Sequence, residues 1–176
     1  MKAGASNVKG FRAPIFSLTE KSSDWAYENM RSCGLTYSSS VLPAKNPLYG
    51  WEGFGESAKK MTGGIIEMPI TLGQFGPLRI PIAGGVYFRV LPQLFLKNAI
   101  RQKLTKGLPV LSYFHPYDID TEQERYMHAG INDSKIFNFL MYYNRKSVFN
   151  RLDALLNMDV KIMTCQKYVD TYLSNL

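Results

Sequence analysis

Leu111-Ser112-Tyr113-Phe114-His115-Pro116-Tyr117-Asp118-Ile119-Asp120 is the stretch that decides the fold. An apolar run over residues 110–114 stops at a histidine followed at once by proline, and proline pushes the residue before it into extended backbone. The run therefore predicts a buried strand that delivers His115 at its C-terminal end. In parallel α/β sheets and barrels, ligands collect outside that end of the strands, because the loops there converge on one face. His115 is thus the first candidate for chemistry. Its other reading is a hydrogen-bonded structural imidazole.

The 176 residues suffice for one domain with a real core, and residues 1–176 are read as a single domain. A hydrophobic content of 45% with 20% charged residues is that of a globular chain and excludes wholesale disorder. A net charge of +7 would suit an anionic partner, yet the lysines and arginines are scattered, with no block of five like charges and no RNA-binding or zinc-finger spacing. Nucleic acid is therefore not an expected partner. Cys33 and Cys165 belong to no Cys-x-x-Cys motif and read as two reduced, partly buried thiols that fix no compartment. The first residues lack the apolar core of a signal peptide, and no run approaches the roughly 20 apolar residues of a membrane span.

Working outward from residues 110–114, the preceding pattern alternates strand and helix signals. Residues 8–14 read as a short strand ended by Pro14, opening so close to the first residue that an N-terminal element is expected to be missing. Thr19 is a candidate N-cap for a helix through Trp25, Ala26, Met30 and Cys33, closed by Gly34. Residues 35–42 form a second strand. Residues 44–64, rich in glycine, proline, lysine and aromatics, read as a long loop whose Trp51 and Phe54 either stack on sugar rings or pin the loop to the core. Residues 65–72 and 78–83 read as a strand pair joined by a turn at residues 73–77. Gly84-Gly85 lacks the third glycine of a phosphate cradle and reads as a bend near a ligand or neighbouring strand. A helix is expected over residues 92–106. After the central strand come a polar excursion over residues 121–133 with a solvated His128, one long amphipathic helix from Ile136 to Leu156, a last strand over 160–164 and a terminal helix over 166–173. The sum is an α/β arrangement with too few units to close an eight-stranded barrel.

Five stretches, Gly10-Phe11-Arg12-Ala13-Pro14-Ile15-Phe16-Ser17, Tyr37-Ser38-Ser39-Ser40-Val41-Leu42-Pro43, Gly63-Gly64-Ile65-Ile66-Glu67-Met68-Pro69, Ala83-Gly84-Gly85-Val86-Tyr87-Phe88-Arg89 and Tyr113 to Asp120, resemble in order and spacing the later motifs of the polysaccharide deacetylase family (carbohydrate esterase family 4). The resemblance is to the C-terminal portion, in the branch associated with bacterial exopolysaccharide clusters. It implies the C-terminal part of a distorted (β/α) barrel of fewer than eight strands, the NodB-like fold, with an inserted β-hairpin. It also implies removal of N-acetyl groups from amino sugars of a polysaccharide, with an Asp-His-His triad holding a zinc-like divalent metal and an aspartate acting as base on the attacking water. Carried over, Arg12 orients that aspartate and His115 is the general acid that protonates the leaving amine. Tyr117, Trp51, Tyr87 and Arg89 are the residues expected to contact substrate.

Amide hydrolysis needs both a nucleophile available near neutral pH and a proton for a poor leaving group, so this division of labour has a physical basis. The sequence departs from the family pattern in two places. The Asp-Asp strand end and the His-x-x-x-His pair are absent, His115 and His128 being the only histidines, so no metal is expected to bind this chain alone and the chain alone is expected to be inactive. Ser38 stands where the resemblance places the aspartate that holds the acid histidine, and Tyr117 stands in for a tryptophan. Two functions follow as expectations: a deacetylase-like hydrolase whose metal half is not in this chain, or a truncated, non-catalytic glycan-binding or scaffold domain. In either case the partner is a polysaccharide or an N-acetylated oligosaccharide, and an exposed sheet edge favours self-association.

Overall fold

The computed structural model describes residues 7–46, 49–128 and 132–176. Its strands are β1 (Gly10–Phe11), β2 (Tyr37–Ser38), β3 (Lys59–Lys60), β4 (Ile66–Glu67), β5 (Leu72–Phe75) and β6 (Leu78–Pro81). Its helices are α1 (Ser23–Ser32), α2 (Gly85–Val90), α3 (Gln93–Thr105), α4 (Pro116–Ile119), α5 (Lys135–Tyr142), α6 (Val148–Leu156) and α7 (Cys165–Tyr168). The architecture is mixed α/β, and among the described residues the strands do not close into a barrel. The chain forms two compact units, one running to Ile70 and including Ile162–Leu176, the other Thr71–Lys161.

In the first unit a four-stranded sheet runs in the order β1-β2-β4-β3. The three strands β1, β2 and β4 are parallel, and β3 joins the edge antiparallel. Gly10 is required in β1 because a Cβ there would fall 2.1 Å from the Tyr37 ring. The expected strand over residues 35–42 shrinks to β2, since the Ser40 and Val41 amides turn to the Glu67 carboxylate instead of a ladder partner. Thr19 and Ser22 cap the turn leading into α1, the Thr19 amide donating to Ser22 Oγ. Ser23, Ala26, Tyr27 and Met30, at helical spacing, form the buried face of α1, which packs with Leu18, Val41, Phe54 and Ile65. Gly34, at φ +75°, follows the helix end as expected.

The expected loop over residues 44–64 contains β3, whose two exposed lysines show no apolar alternation but blunt the sheet edge against further pairing. Pro47 and Leu48 of that stretch lie outside the described residues. The terminal helix forms as α7, capped by Thr164, and continues through a wider helical turn over Val169–Leu173. The expected strand over residues 160–164 is corrected: no strand forms there among the described residues, and Ile162 is 70% exposed with nothing to pair against.

The expected pairing of residues 65–72 with 78–83 is corrected: Ile66 and Glu67 pair in the first unit's sheet. In the second unit β5, which keeps only Leu72 of that expected strand, forms the hairpin with β6, turning at Gly76-Pro77, so residues 73–75 belong to a strand and not to the turn. Gly73 lies under Ile82 and Ala99, leaving no room for a side chain. α3 forms where expected, and Leu96, Ala99 and Ile100 join Ile82, Phe88, Leu91 and Val148 in a core. The expected strand at residues 110–114 is corrected to extended backbone with one bridge, Gly84 to Tyr113. Its partner segment turns into α2 at Gly85, so the ladder has nowhere to go. Leu111 is still buried, its amide donating to Thr71 Oγ1 at 2.9 Å, and the Tyr113 amide donates to the Ala83 carbonyl at 3.1 Å.

The single long helix expected from Ile136 to Leu156 is corrected to α5 and α6 with a break between them. Asn144 takes left-handed backbone at φ 58° and donates from Nδ2 to the Arg89 carbonyl at 2.8 Å. Arg89 Nη1 in turn donates to the Leu140 and Tyr143 carbonyls, which the end of α5 leaves open. Asn144→Ala is expected to cost about 1–2 kcal/mol for the left-handed backbone alone. Asn144→Gly removes only the donor, about 1 kcal/mol. Urea titration of both variants separates the two contributions.

Candidate functional site

The site in the second unit is built on the short helix α4. Tyr113 is fixed to the Ala83 carbonyl, and two residues later His115 takes the N-cap position with Pro116 at the first helical residue, where its missing N–H costs nothing. Three residues on, Asp118 completes a capping box: its Oδ2 accepts from the His115 amide at 2.9 Å. The same oxygen lies 3.2 Å from His115 Nδ1. Oδ1 accepts from Arg89 Nε at 3.3 Å and stands 3.2 Å from Nη2. The side chains of Arg89 and Asp118 are fully buried, whereas that of His115 is 50% exposed. The result is a line of charge from a buried guanidinium through a buried carboxylate to an imidazole at the surface.

Tyr117 stacks on His115 with ring centroids 4.6 Å apart and planes 8° off parallel, and the Tyr113 ring stands edge-on at 6.1 Å. Burial pushes the Tyr117 phenol up, with the Asp118 charge adding to it. Burial also draws the Arg89 guanidinium down from its ordinary value against the pull of Asp118. Arg89, expected to contact substrate, is corrected to a core residue: its donors are turned inward to Asp118 and to the end of α5. Tyr87, two residues before Arg89 on α2, is 43% exposed.

His128 is not the solvated side chain expected. Its ring packs 4.5 Å from Tyr126, 5.4 Å from Tyr142 and 6.0 Å from Tyr117. Burial first, then the nearby Arg145 cation, pull its pKa below the usual histidine value. Arg145 is itself buried over the Tyr142 ring at 4.4 Å, donating to the Met141 and Asp120 carbonyls and to Gln123 Oε1. Ala129, Gly130 and Ile131 of the expected polar excursion lie outside the described residues.

Arg12 and Trp51 belong to the first unit. The Arg12 guanidinium donates to the Ser39 carbonyl at 3.1 Å and to Ser39 Oγ at 3.0 Å and lies 5.6 Å from the Phe16 ring. Trp51 is half-buried, edge-on to Phe54 at 5.0 Å, and Phe54 is sealed in the core. Phe54 thus pins the loop to the core, and Trp51 packs on it with part of its ring surface open. Ser38 is buried and donates to Ser40 Oγ at 2.8 Å.

Two acidic residues carry more than the sequence reading assigned to them. Asp118 stood in the opening stretch at a capping-box spacing from His115, a signal that could have found it. Glu67, buried in β4, accepts from the Ser40 and Val41 amides and from Tyr27 Oη. Its signal was a lone acid in an apolar strand. Among the described residues no group of three or more His, Cys, Asp or Glu side chains could hold a metal ion, so these residues do not fit the divalent metal that the resemblance implies. Cys33 and Cys165 are both free thiols, the first exposed. Among the described residues no helix is long and apolar enough to cross a membrane.

A family model described as "Domain of unknown function (DUF3473)" matches residues 39–170, which include the whole of the His115 site. No curated protein and no solved structure matches the chain.

Proposed function

The chain belongs to the DUF3473 family of domains of unknown function, and from that premise we propose that it supplies the acid-histidine side of a polysaccharide deacetylase-like hydrolase acting on N-acetylated amino sugars. The observation that carries the reading is His115 itself: half exposed, stacked on Tyr117 and held through Nδ1, so that Nε2 is the nitrogen left for a ligand. The five motifs, in family order, give it a substrate class. The fold in this reading is the C-terminal part of the deacetylase barrel.

The reaction balances as follows. Water oxygen adds to the acetyl carbonyl carbon, and its proton passes to the carboxylate base that the resemblance places outside this chain's motifs. The C–N bond then breaks as the amine nitrogen takes the proton from His115 Nε2, releasing acetate and the free amino sugar. The base gives its proton up to bulk water, from which His115 regains one.

A second reading is a glycan-binding domain without catalysis, which the stacked Tyr117 and His115 rings support as an aromatic platform for a sugar. The test is titration of an N-acetylglucosamine oligomer into the isotope-labelled chain. The His115, Tyr117 and Tyr87 resonances are expected to move, and a glucosamine oligomer is expected to move them less. No response at His115 overturns both readings. In a protein joining this chain to a metal-binding half, His115→Ala is expected to lower acetate release about 100-fold while oligomer binding is kept. Unchanged release leaves only the binding reading.

A further inference from the structure

We propose that Asp118 and Arg89 are positioning residues that lock His115 into the Nδ1–H tautomer, leaving Nε2 as its only exchangeable nitrogen for a substrate; the inference rests on the hydrolase reading of the same site. A neutral imidazole can carry its proton on either nitrogen, and the partner of one nitrogen decides the role of the other. Here the partner is an ionised carboxylate, which can only accept, and it faces Nδ1 at 3.2 Å.

The carboxylate has no freedom to leave. Oδ2 is shared between the His115 amide and Nδ1, and Oδ1 accepts from Arg89 Nε at 3.3 Å, with the charged Nη2 standing 3.2 Å away. Arg89 in turn is held from its far side, where Nη1 reaches the Leu140 and Tyr143 carbonyls and its own carbonyl accepts from Asn144. The break between α5 and α6 thus fixes Arg89, Arg89 fixes Asp118, and Asp118 fixes the imidazole. The carboxylate that the resemblance expected at Ser38 is supplied from within the His115 motif itself, three residues downstream.

The arrangement also says what an amide at position 118 does. In Asp118→Asn the Arg89 guanidinium, donors only, claims the amide oxygen and turns the NH₂ toward Nδ1, at the expense of the bond that Oδ2 accepts from the His115 amide. Nδ1 must then accept, and the proton moves to Nε2.

Nitrogen NMR of the imidazole above its titration range reads this directly. The expected result is Nδ1–H in the wild type by at least about tenfold, the ratio one charge-assisted hydrogen bond supports, and Nε2–H in Asp118→Asn by about fivefold, the ratio a neutral hydrogen bond supports. The double variant Arg89→Gln/Asp118→Asn, whose residue 89 both donates and accepts, is expected to show both tautomers. Arg89→Lys/Asp118→Asn restores a pure donor and is expected to restore the reversal, and it stands in should the glutamine variant not fold. A wild type with Nε2–H overturns the inference whatever the oligomer titration shows, and a silent titration with the expected tautomers overturns the function alone. Full reversal kept in a folded glutamine double variant removes Arg89 from the set.

Discussion

Gly84→Ala is expected to cost at least about 3 kcal/mol and to loosen the His115 site with it. A Cβ at position 84 would stand 1.8 Å from the Tyr113 carbonyl oxygen and 2.8 Å from its carbonyl carbon, both backbone atoms that no rotamer change can move aside. The backbone at Gly84 is extended, φ 169°, so the requirement for glycine is one of space and not of conformation. Relief demands that residues 84 and 113 separate, which breaks their bridge and strains the bond from the Tyr113 amide to the Ala83 carbonyl. His115 lies two residues beyond. Gly85→Ala is a useful contrast: its φ of +60° disfavours a side chain, but the nearest atoms are those of the Tyr113 ring at 3.1 Å, which can give. Its cost is expected to be about 1–2 kcal/mol. Chemical denaturation compares the two, and a Gly84→Ala variant as stable as wild type would show that residues 110–114 are not anchored by this approach.

The parts of the fold that were legible are those whose determinants lie close together in the chain. α1 announces itself by Thr19, by apolar residues three and four apart and by Gly34, and the β5–β6 hairpin by its Gly-Pro turn. β3 was invisible because two lysines on a sheet edge carry no hydrophobic period. The break after α5 was invisible for a different reason: the apolar spacing continues through residues 143–148, and what stops the helix is the Arg89 side chain and carbonyl, about 55 positions away in sequence. Of the apolar run at residues 110–114 only Leu111 is buried and Ser112 is exposed, and the run is not a strand, because its length says nothing about whether the neighbouring segment stays extended.

The site divides the same way. His115 and Tyr117 could be singled out because a histidine before proline at the end of an apolar run is a local pattern. Arg89 was assigned a contact with substrate, and nothing near it in sequence declares that a buried carboxylate awaits it. Asp118 sat in plain view, but its partnership with Nδ1 follows only once the chain after Pro116 turns helical and brings residue 118 back over residue 115. A polar pair buried at zero exposure is hard to read from sequence because each member is legible only through the other.

The other buried acid gives the second large effect. Glu67→Leu is expected to destabilise the first unit by about 3–5 kcal/mol, because it leaves the Ser40 and Val41 amides and the Tyr27 hydroxyl without an acceptor at a site closed to water. Glu67→Gln keeps the oxygen that serves both amides, and its new NH₂ can donate to the Tyr27 oxygen, so its cost at neutral pH is expected to be about 1 kcal/mol or less. The two variants differ further with pH. Burial raises the Glu67 pKa above its ordinary 4.5, against the opposing pull of its hydrogen-bond donors. Between the ordinary and the raised value the folded chain holds a proton that the unfolded chain has released, so the stability linked to Glu67 is fully present below about 4.5 and is lost as pH rises through the raised value. Glutamine does not titrate. The stability of Glu67→Gln relative to wild type is therefore expected to improve as pH rises from 4 to 8, read by urea titration at each pH. A constant difference across that range would mean that Glu67 titrates alike in the folded and unfolded chain, and that its burial carries no electrostatic penalty.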